Sequence, residues 1–131
     1  MLLSNTGERE IGTEGKLLLL AREDKKLQGV GLQSRQPIFL FVGSDAFNCC
    51  TFLSSIYFLG GTQDGNIYQL DVRNTKAPVR IIHRSGAPVL SLMPYKDGFI
   101  ASQGSTPVFL HFVVNCCYVS LDSGQPELLF N

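Results

Sequence analysis

Ile56 to Val72 reads I-Y-F-L-G-G-T-Q-D-G-N-I-Y-Q-L-D-V, and its reading decides the fold. An apolar run from Tyr57 to Leu59 leads through Gly60, Gly61, Thr62 and Gln63 into Asp64-Gly65, and the alternating Ile67, Tyr68, Leu70 and Val72 follows. Period-two spacing of β-branched and aromatic residues on both sides of a turn dipeptide predicts a β-hairpin. Gly accepts a positive φ freely and Asp tolerates it better than most residues, so Asp64 and Gly65 are expected at the centre of a two-residue type I′ turn. The unit recurs. About 40 residues upstream of Asp64 lies Asp24, with Leu27, Val30 and Leu32 under Ile67, Leu70 and Val72; about 41 downstream, Ile100, Ser102, Val108 and Phe109 fall on Leu59, Gly61, Ile67 and Tyr68. Several short strands at such a period are the signature of propeller blades, and helical arrays of similar period need amphipathic helices that this chain does not encode.

The run G-T-Q-D-G-N-I-Y-Q-L-D-V resembles the inner hairpin of a WD-repeat blade, with Leu70-Asp71 where that family places Trp-Asp. The longer runs L-L-L-A-R-E-D-K-K-L-Q, F-V-G-S-D-A-F-N-C-C-T-F-L, H-R-S-G-A-P-V-L-S-L and D-G-F-I-A-S-Q-G are similar to the C-terminal part of the WD-repeat family of proteasomal ATPase-associated factors. The likeness spans Arg9 to Gly104. Beyond it come Ser105-Thr106-Pro107 and a hydrophobic tail in place of another Asp-Gly hairpin.

Length and charge narrow the function classes. A chain of 131 residues, 44% hydrophobic, can bury a core of its own. Eleven basic and eleven acidic residues cancel, so nothing in the balance favours nucleic acid or an anionic membrane as a bulk partner, and near-zero charge favours self-association. The N-terminal M-L-L-S-N-T-G-E-R-E has neither a basic region nor a long apolar one, so no secretory signal is read and an intracellular protein is expected. The longest apolar run, Val108 to Val119, is broken by His111 and Asn115 and is too short to cross a bilayer of about 30 Å as a helix. Four cysteines form two adjacent pairs, Cys49-Cys50 and Cys116-Cys117. Neighbours on a strand point to opposite faces, which disfavours a disulfide or a metal within a pair, and the pair within Phe47 to Leu53 is read as buried reduced thiols acting as small apolar groups. No cofactor or metal is implied.

The expected organisation is an all-β, WD-repeat-like propeller fragment of about two and a half four-stranded blades. Residues 1–15, polar and glycine-containing, are read as a flexible segment, 16–114 as the partial propeller with blades at 16–42, 43–83 and 84–114, and 115–131 as a divergent tail. Within 16–42 the first strand of a blade is missing. Phe47 to Phe52, Ile56 to Thr62, Asn66 to Val72 and Val79 to His83 make one complete blade. The last unit has Val89 to Met93, Phe99 to Gln103 and Val108 to Val114, with Phe109 in the place of Tyr68, and Cys117 to Leu121 returning as an outer strand. Cys116-Cys117-Tyr118-Val119 carries no charge to protect an exposed edge, so self-association through open blade edges is expected.

The resemblance also carries a set of hydrogen-bonding positions: an Asp in the inner turn, a Ser or Thr two residues earlier, a Trp on the next strand and a His ahead of the blade. Asp64, Gly65 and Thr62 match; Leu70 stands for the Trp, followed by Asp71; Gly43-Ser44-Asp45 contains no His, and the chain has no Trp. His83 falls near the His position of the final unit, where Ser105 replaces the Asp. These positions staple structure in the family. An enzyme, as a cysteine hydrolase, would have to join Cys49 or Cys50 to His83 and to Asp45 or Asp71, yet no glycine elbow and no helix N-terminus that lowers a thiol pKa accompanies them, and His111 sits in an apolar strand. The chain is read as no enzyme. From Arg73 to Lys96 the charges are Arg73, Lys76, Arg80, Arg84 and Lys96 with no acid between them, a surface for an acidic protein partner rather than for nucleic acid. What the resemblance implies is a cytoplasmic and nuclear binding module that engages ATPase subunits of the proteasome regulatory particle and controls their assembly, as a chaperone or inhibitor. The alternative is a truncated product without binding activity.

Overall fold

The computed structural model describes the backbone over residues 3–11, 15–104, 114–120 and 126–130, and side chains over 17–104. The described residues form three antiparallel sheets of four strands each. The first holds β1 (Leu3–Ile11), β2 (Gly15–Arg22), β3 (Lys26–Gly31) and β4 (Pro37–Val42). β5 (Phe47–Phe52), β6 (Tyr57–Thr62), β7 (Asn66–Asp71) and β8 (Arg80–His83) make the second, and β9 (Val89–Tyr95), β10 (Gly98–Gly104), β11 (Val114–Ser120) and β12 (Pro126–Phe130) the third. In each sheet the chain moves outward one strand at a time. The first strands β1, β5 and β9 pack in series, as the inner strands of blades around an axis do.

Period two explains how these strands hold together. Along β3, Leu27, Gly29 and Gly31 are buried and alternate with half-buried Lys26, Gln28 and Val30. Cys49 and Cys50 face opposite ways, as adjacent strand residues must. Cys50 joins the core between the first and second sheets with Leu19, Leu27, Phe47, Phe58 and Leu70. Cys49 joins the core between the second and third with Leu59, Ile67, Val89, Leu92 and Phe99. The first of these cores is aromatic: Phe39 stacks on Phe58 with centroids 4.8 Å apart, and Phe41 meets Tyr68 edge-on at 5.1 Å. Burying each such side chain stabilises by ~1.5 to 3 kcal/mol. Because the Phe39 ring lies directly on Gly29, where any Cβ would overlap it, the bulk of one strand is accommodated by the bareness of its neighbour.

The all-β propeller reading holds, and three of its boundaries change. Residues 3–11 form β1, paired with β2 from Leu3↔Arg22 to Ile11↔Gly15, so 1–15 is largely a strand and the first blade does not lack one. A ladder is made by backbone groups, and a polar segment with no apolar period can still supply them. In the last blade the third strand is β11, with Cys117 opposite Ala101, and β12 is the outer strand, so the strands expected at Val108 to Val114 and Cys117 to Leu121 are displaced, and the described parts of the tail, 115–120 and 126–130, belong to the third sheet. An uncharged apolar run without turn residues satisfies several registers equally, and the pairing partner decides among them. Phe109 and His111 lie outside the described residues. No helix among the described residues is long and apolar enough to cross a membrane.

Candidate functional site

Pairing of Gly61 with Ile67 leaves Gln63-Asp64-Gly65 between β6 and β7 as a three-residue loop. Gly65 has φ +90°, while Asp64 is not among the residues with positive φ, and the Gly65 N–H donates to the Thr62 carbonyl at 3.2 Å. This is a type I turn closed by one left-handed residue; it replaces the type I′ turn expected from Asp-Gly. The extra residue gives the Thr62 side chain room to close the loop. Its Oγ1 donates to Asp64 Oδ1 at 2.5 Å and accepts from the Asn66 backbone N–H at 3.0 Å.

From there a hydrogen-bonded set spreads across the end of the second sheet. The Ser44 hydroxyl donates to the Asp64 carboxylate and accepts from Asn66 Nδ2 at 2.9 Å. Asn66 Oδ1 lies 2.8 Å from His83 Nδ1 on the outer strand, and the Ser44 N–H donates to Tyr68 Oη at 3.0 Å. Desolvation pushes the Asp64 pKa up, but hydrogen bonds from Thr62 and Ser44 outweigh it and hold the carboxyl below its ordinary value. Ser44 therefore fills the place that the family gives to a His. It, Asn66 and Tyr68 are the three members the sequence reading missed; a hydroxyl in Gly43-Ser44-Asp45 was the available signal, since a donor and not an imidazole is what the carboxylate needs. Leu70 takes no part: it is fully buried in the core against the first sheet.

The five cations do not come together. β7 runs away from Gly65, so Arg73 and Lys76, which follow it, lie at the far end of the sheet, where the Asp71 carboxylate takes Arg73 Nε and Nη2 at 2.9 and 2.6 Å. That pairing with Arg73 holds the Asp71 carboxyl below its ordinary range. β9 starts beside Asn48, whose Nδ2 donates to the Val89 carbonyl at 3.3 Å, and so it ends, with Lys96, at that same far end. Lys96 Nζ stands 5.3 Å over the Tyr95 ring. Arg84 follows His83, the register partner of Asn66, at the Gly65 end, while Arg80 pairs with Gln69 in between. The basic run is thus two surfaces.

The candidate nucleophiles are equally separated. Cys49 and Cys50 are buried on the innermost strand, and burial pushes both thiols up to about 12. His83 is three strands away on β8, and the Asp45 carboxylate accepts from the Ala46 N–H at 2.8 Å. A protonated thiol with no base in reach is a poor nucleophile. Among the described residues no group of three or more His, Cys, Asp or Glu is placed to hold a metal ion.

Consecutive four-stranded meanders with their first strands side by side, and an Asp-stapled inner turn, define the class: a segment of a WD-repeat-like β-propeller. Over 103 residues, 79% of its length, the chain is 85% identical to proteasomal ATPase-associated factor 1 of Gallus gallus. Over the same share it is 74% identical to the Homo sapiens protein of that name, and the resemblance read from the sequence stands. A probable proteasomal ATPase-associated factor 1 of Dictyostelium discoideum is 30% identical and matches 90% of this chain, more than the residues up to Gly104 can supply. The chain spans about a quarter (26%) of the length of the vertebrate relatives. No protein-family model matches it. Among solved structures, Kuenenia stuttgartiensis hydrazine synthase superposes on 98% of this chain and 38% of its own with a TM-score of 0.76 at 13% identity, a likeness of fold alone.

Proposed function

We propose that this chain is part of a protein-binding module that engages ATPase subunits of the proteasome regulatory particle and thereby controls their assembly or their association with the core particle. The observation that carries this reading is the identity of 74% to 85% with proteins named as proteasomal ATPase-associated factors. The geometry agrees with it: blade sheets present rigid loop ends, and loops on a rigid scaffold are where recognition is placed. Of the two ends, the one with Lys76 and Lys96 suits an acidic partner. Arg73 there is already paired with Asp71 and contributes less. The module acts where proteasomes are, in the cytoplasm and nucleus.

Binding of the full chain to each purified ATPase subunit, measured by calorimetry, tests the proposal. Binding to at least one subunit is expected, and none to any of them would overturn it. Lys76→Glu with Lys96→Glu should weaken that binding more at low salt than at high, because exposed charges are screened over a Debye length of about 10 Å at 0.1 M. Arg84→Glu, at the opposite end, should leave it unchanged.

A further inference from the structure

Propeller blades pack face against face, so the outer edge of each stays open whatever the number of blades in the ring. In the second sheet that edge is β8, which pairs with β7 and with no other strand among the described residues. With the residues on either side it reads V-R-I-I-H-R, from Val79 to Arg84. Alternation gives the edge two different sides. Ile82 is buried in the core against the third sheet. Ile81 therefore points toward the first sheet, beside its register partner Tyr68, whose ring meets Phe41. Val79 and Ile81 are 49% and 54% exposed. Arg80 shares the side of Ile82, and Arg84 follows at the end of the strand. We propose that β8 takes an extended acidic segment of a partner protein as an added strand, with an apolar side chain over Ile81 and a carboxylate facing Arg84.

An added strand is held by main-chain hydrogen bonds to the edge, and the side chains that alternate along it supply the specificity. Here the two supplies are distinct. The half-exposed Ile81 rewards an apolar residue, because it already stands beside the aromatic rings of Tyr68 and Phe41. Charge decides the rest. From Arg73 to Lys96 the chain has no acid, and the Asp64 carboxylate at the Gly65 end is taken by Thr62 and Ser44. Cations on an edge guard it against its own kind, since a second copy paired edge to edge would set Arg84 and Arg80 against cations. The same charges attract an acidic strand. The outer strand of the first sheet, P-I-F-L-F-V from Pro37 to Val42, carries no charge and makes no such selection.

The probe is the end-blocked, fluorescently labelled peptide Thr-Glu-Thr-Val-Val-Glu-Thr, which in an antiparallel register lays a Glu on Arg84 and a Val on Ile81. Its counterpart has Lys for both Glu. Anisotropy titrations with the full chain should show the Glu peptide binding on the order of tenfold more tightly than the Lys peptide. Arg84→Glu should invert that order, an outcome that misfolding cannot produce. Ile81→Asp, at a half-exposed position, should keep its β circular dichroism and weaken the Glu peptide. N-methylation of alternate residues of the Glu peptide should abolish binding in one series and spare it in the other, because only every second N–H of an added strand faces the edge. No binding of the Glu peptide, the same order of peptides in Arg84→Glu, no effect of Ile81→Asp, or two N-methyl series that behave alike would each overturn the proposal. The ATPase reading rests on the opposite end of the sheet and is judged separately, since both variants should bind the ATPase subunits as the natural chain does.

Discussion

At the β2–β3 turn, Glu23-Asp24-Lys25 occupies the place that Gln63-Asp64-Gly65 takes at the β6–β7 turn one sheet later. Both are three-residue loops closed by a left-handed residue, Lys25 at φ +70° and Gly65 at φ +90°. The staples differ. In the first turn Arg22 Nη2 reaches Asp24 Oδ2 at 2.5 Å, Lys26 Nζ stands 3.6 Å from it and Arg22 Nη1 donates to Gln28 Oε1 at 2.9 Å. In the second, hydroxyls of Thr62 and Ser44 serve the carboxylate. Surroundings account for the difference. Glu23, Asp24 and Lys25 are exposed, whereas a Cβ on Gly65 would overlap the Ser85 carbonyl oxygen in the connection to the third sheet. One backbone geometry thus accepts ionic or neutral staples where water reaches it, and only glycine with compact donors where the next blade lies against it.

The largest break in that parallel should come from Gly65→Val. A β-branched residue resists positive φ and here also meets backbone, so a loss of ~3 kcal/mol or more is expected in chemical denaturation. The matching Lys25→Gly should instead be neutral or stabilise by ~0.5 kcal/mol, since relief of left-handed strain offsets the added chain entropy. Equal losses at the two sites would mean that the Ser85 contact does not matter.

Between these lies the staple itself. Thr62→Val keeps the shape but removes the hydroxyl that serves both Asp64 and the Asn66 N–H, and should cost about 1 to 3 kcal/mol. Arg22→Met should cost less, because exposed ion pairs contribute little. A larger effect at Arg22 would reverse the ranking of ionic and neutral staples.

The smallest effect is the pH dependence. For Asp64 and Asp24 alike, desolvation raises the pKa and is outweighed, by Thr62 and Ser44 at Asp64 and by Arg22 and Lys26 at Asp24. Both folded-state values are depressed, so each contribution is full above the unfolded pKa and is lost as pH falls through the folded one. Urea midpoints at about pH 7 and about pH 3 should therefore differ less in Asp64→Asn than in the natural chain. At about 1 M salt the part due to Asp24, whose partners are charges, should shrink while that due to Asp64 persists. A uniform salt effect at both sites would contradict the neutral staple.

Much of the site was legible residue by residue. Asp64, Thr62 and the opposite orientations of Cys49 and Cys50 follow from the local pattern, because a turn, a hydroxyl two residues back and strand alternation are all set within a few residues. Ser44 and Asn66 were not, since their roles depend on the β4–β5 connection folding over the end of β7. The run from Arg73 to Lys96 misled for the same reason in reverse. Charges close in sequence are carried to opposite ends by strands whose direction alternates.

What the sequence determined by itself is the all-β class, the blade period and the position of the inner hairpins, because apolar alternation and turn residues act over a span shorter than one blade. Tertiary structure alone decided that the polar segment 3–11 is an inner strand, that β11 takes the register with Ala101 opposite Cys117, and that Gly65 lies against the Ser85 carbonyl. Each of those outcomes depends on backbone groups and on the neighbouring blade. Backbone donors and acceptors are the same at every residue except proline, so their pairing leaves little trace in side-chain identity, and only the assembled sheets select it.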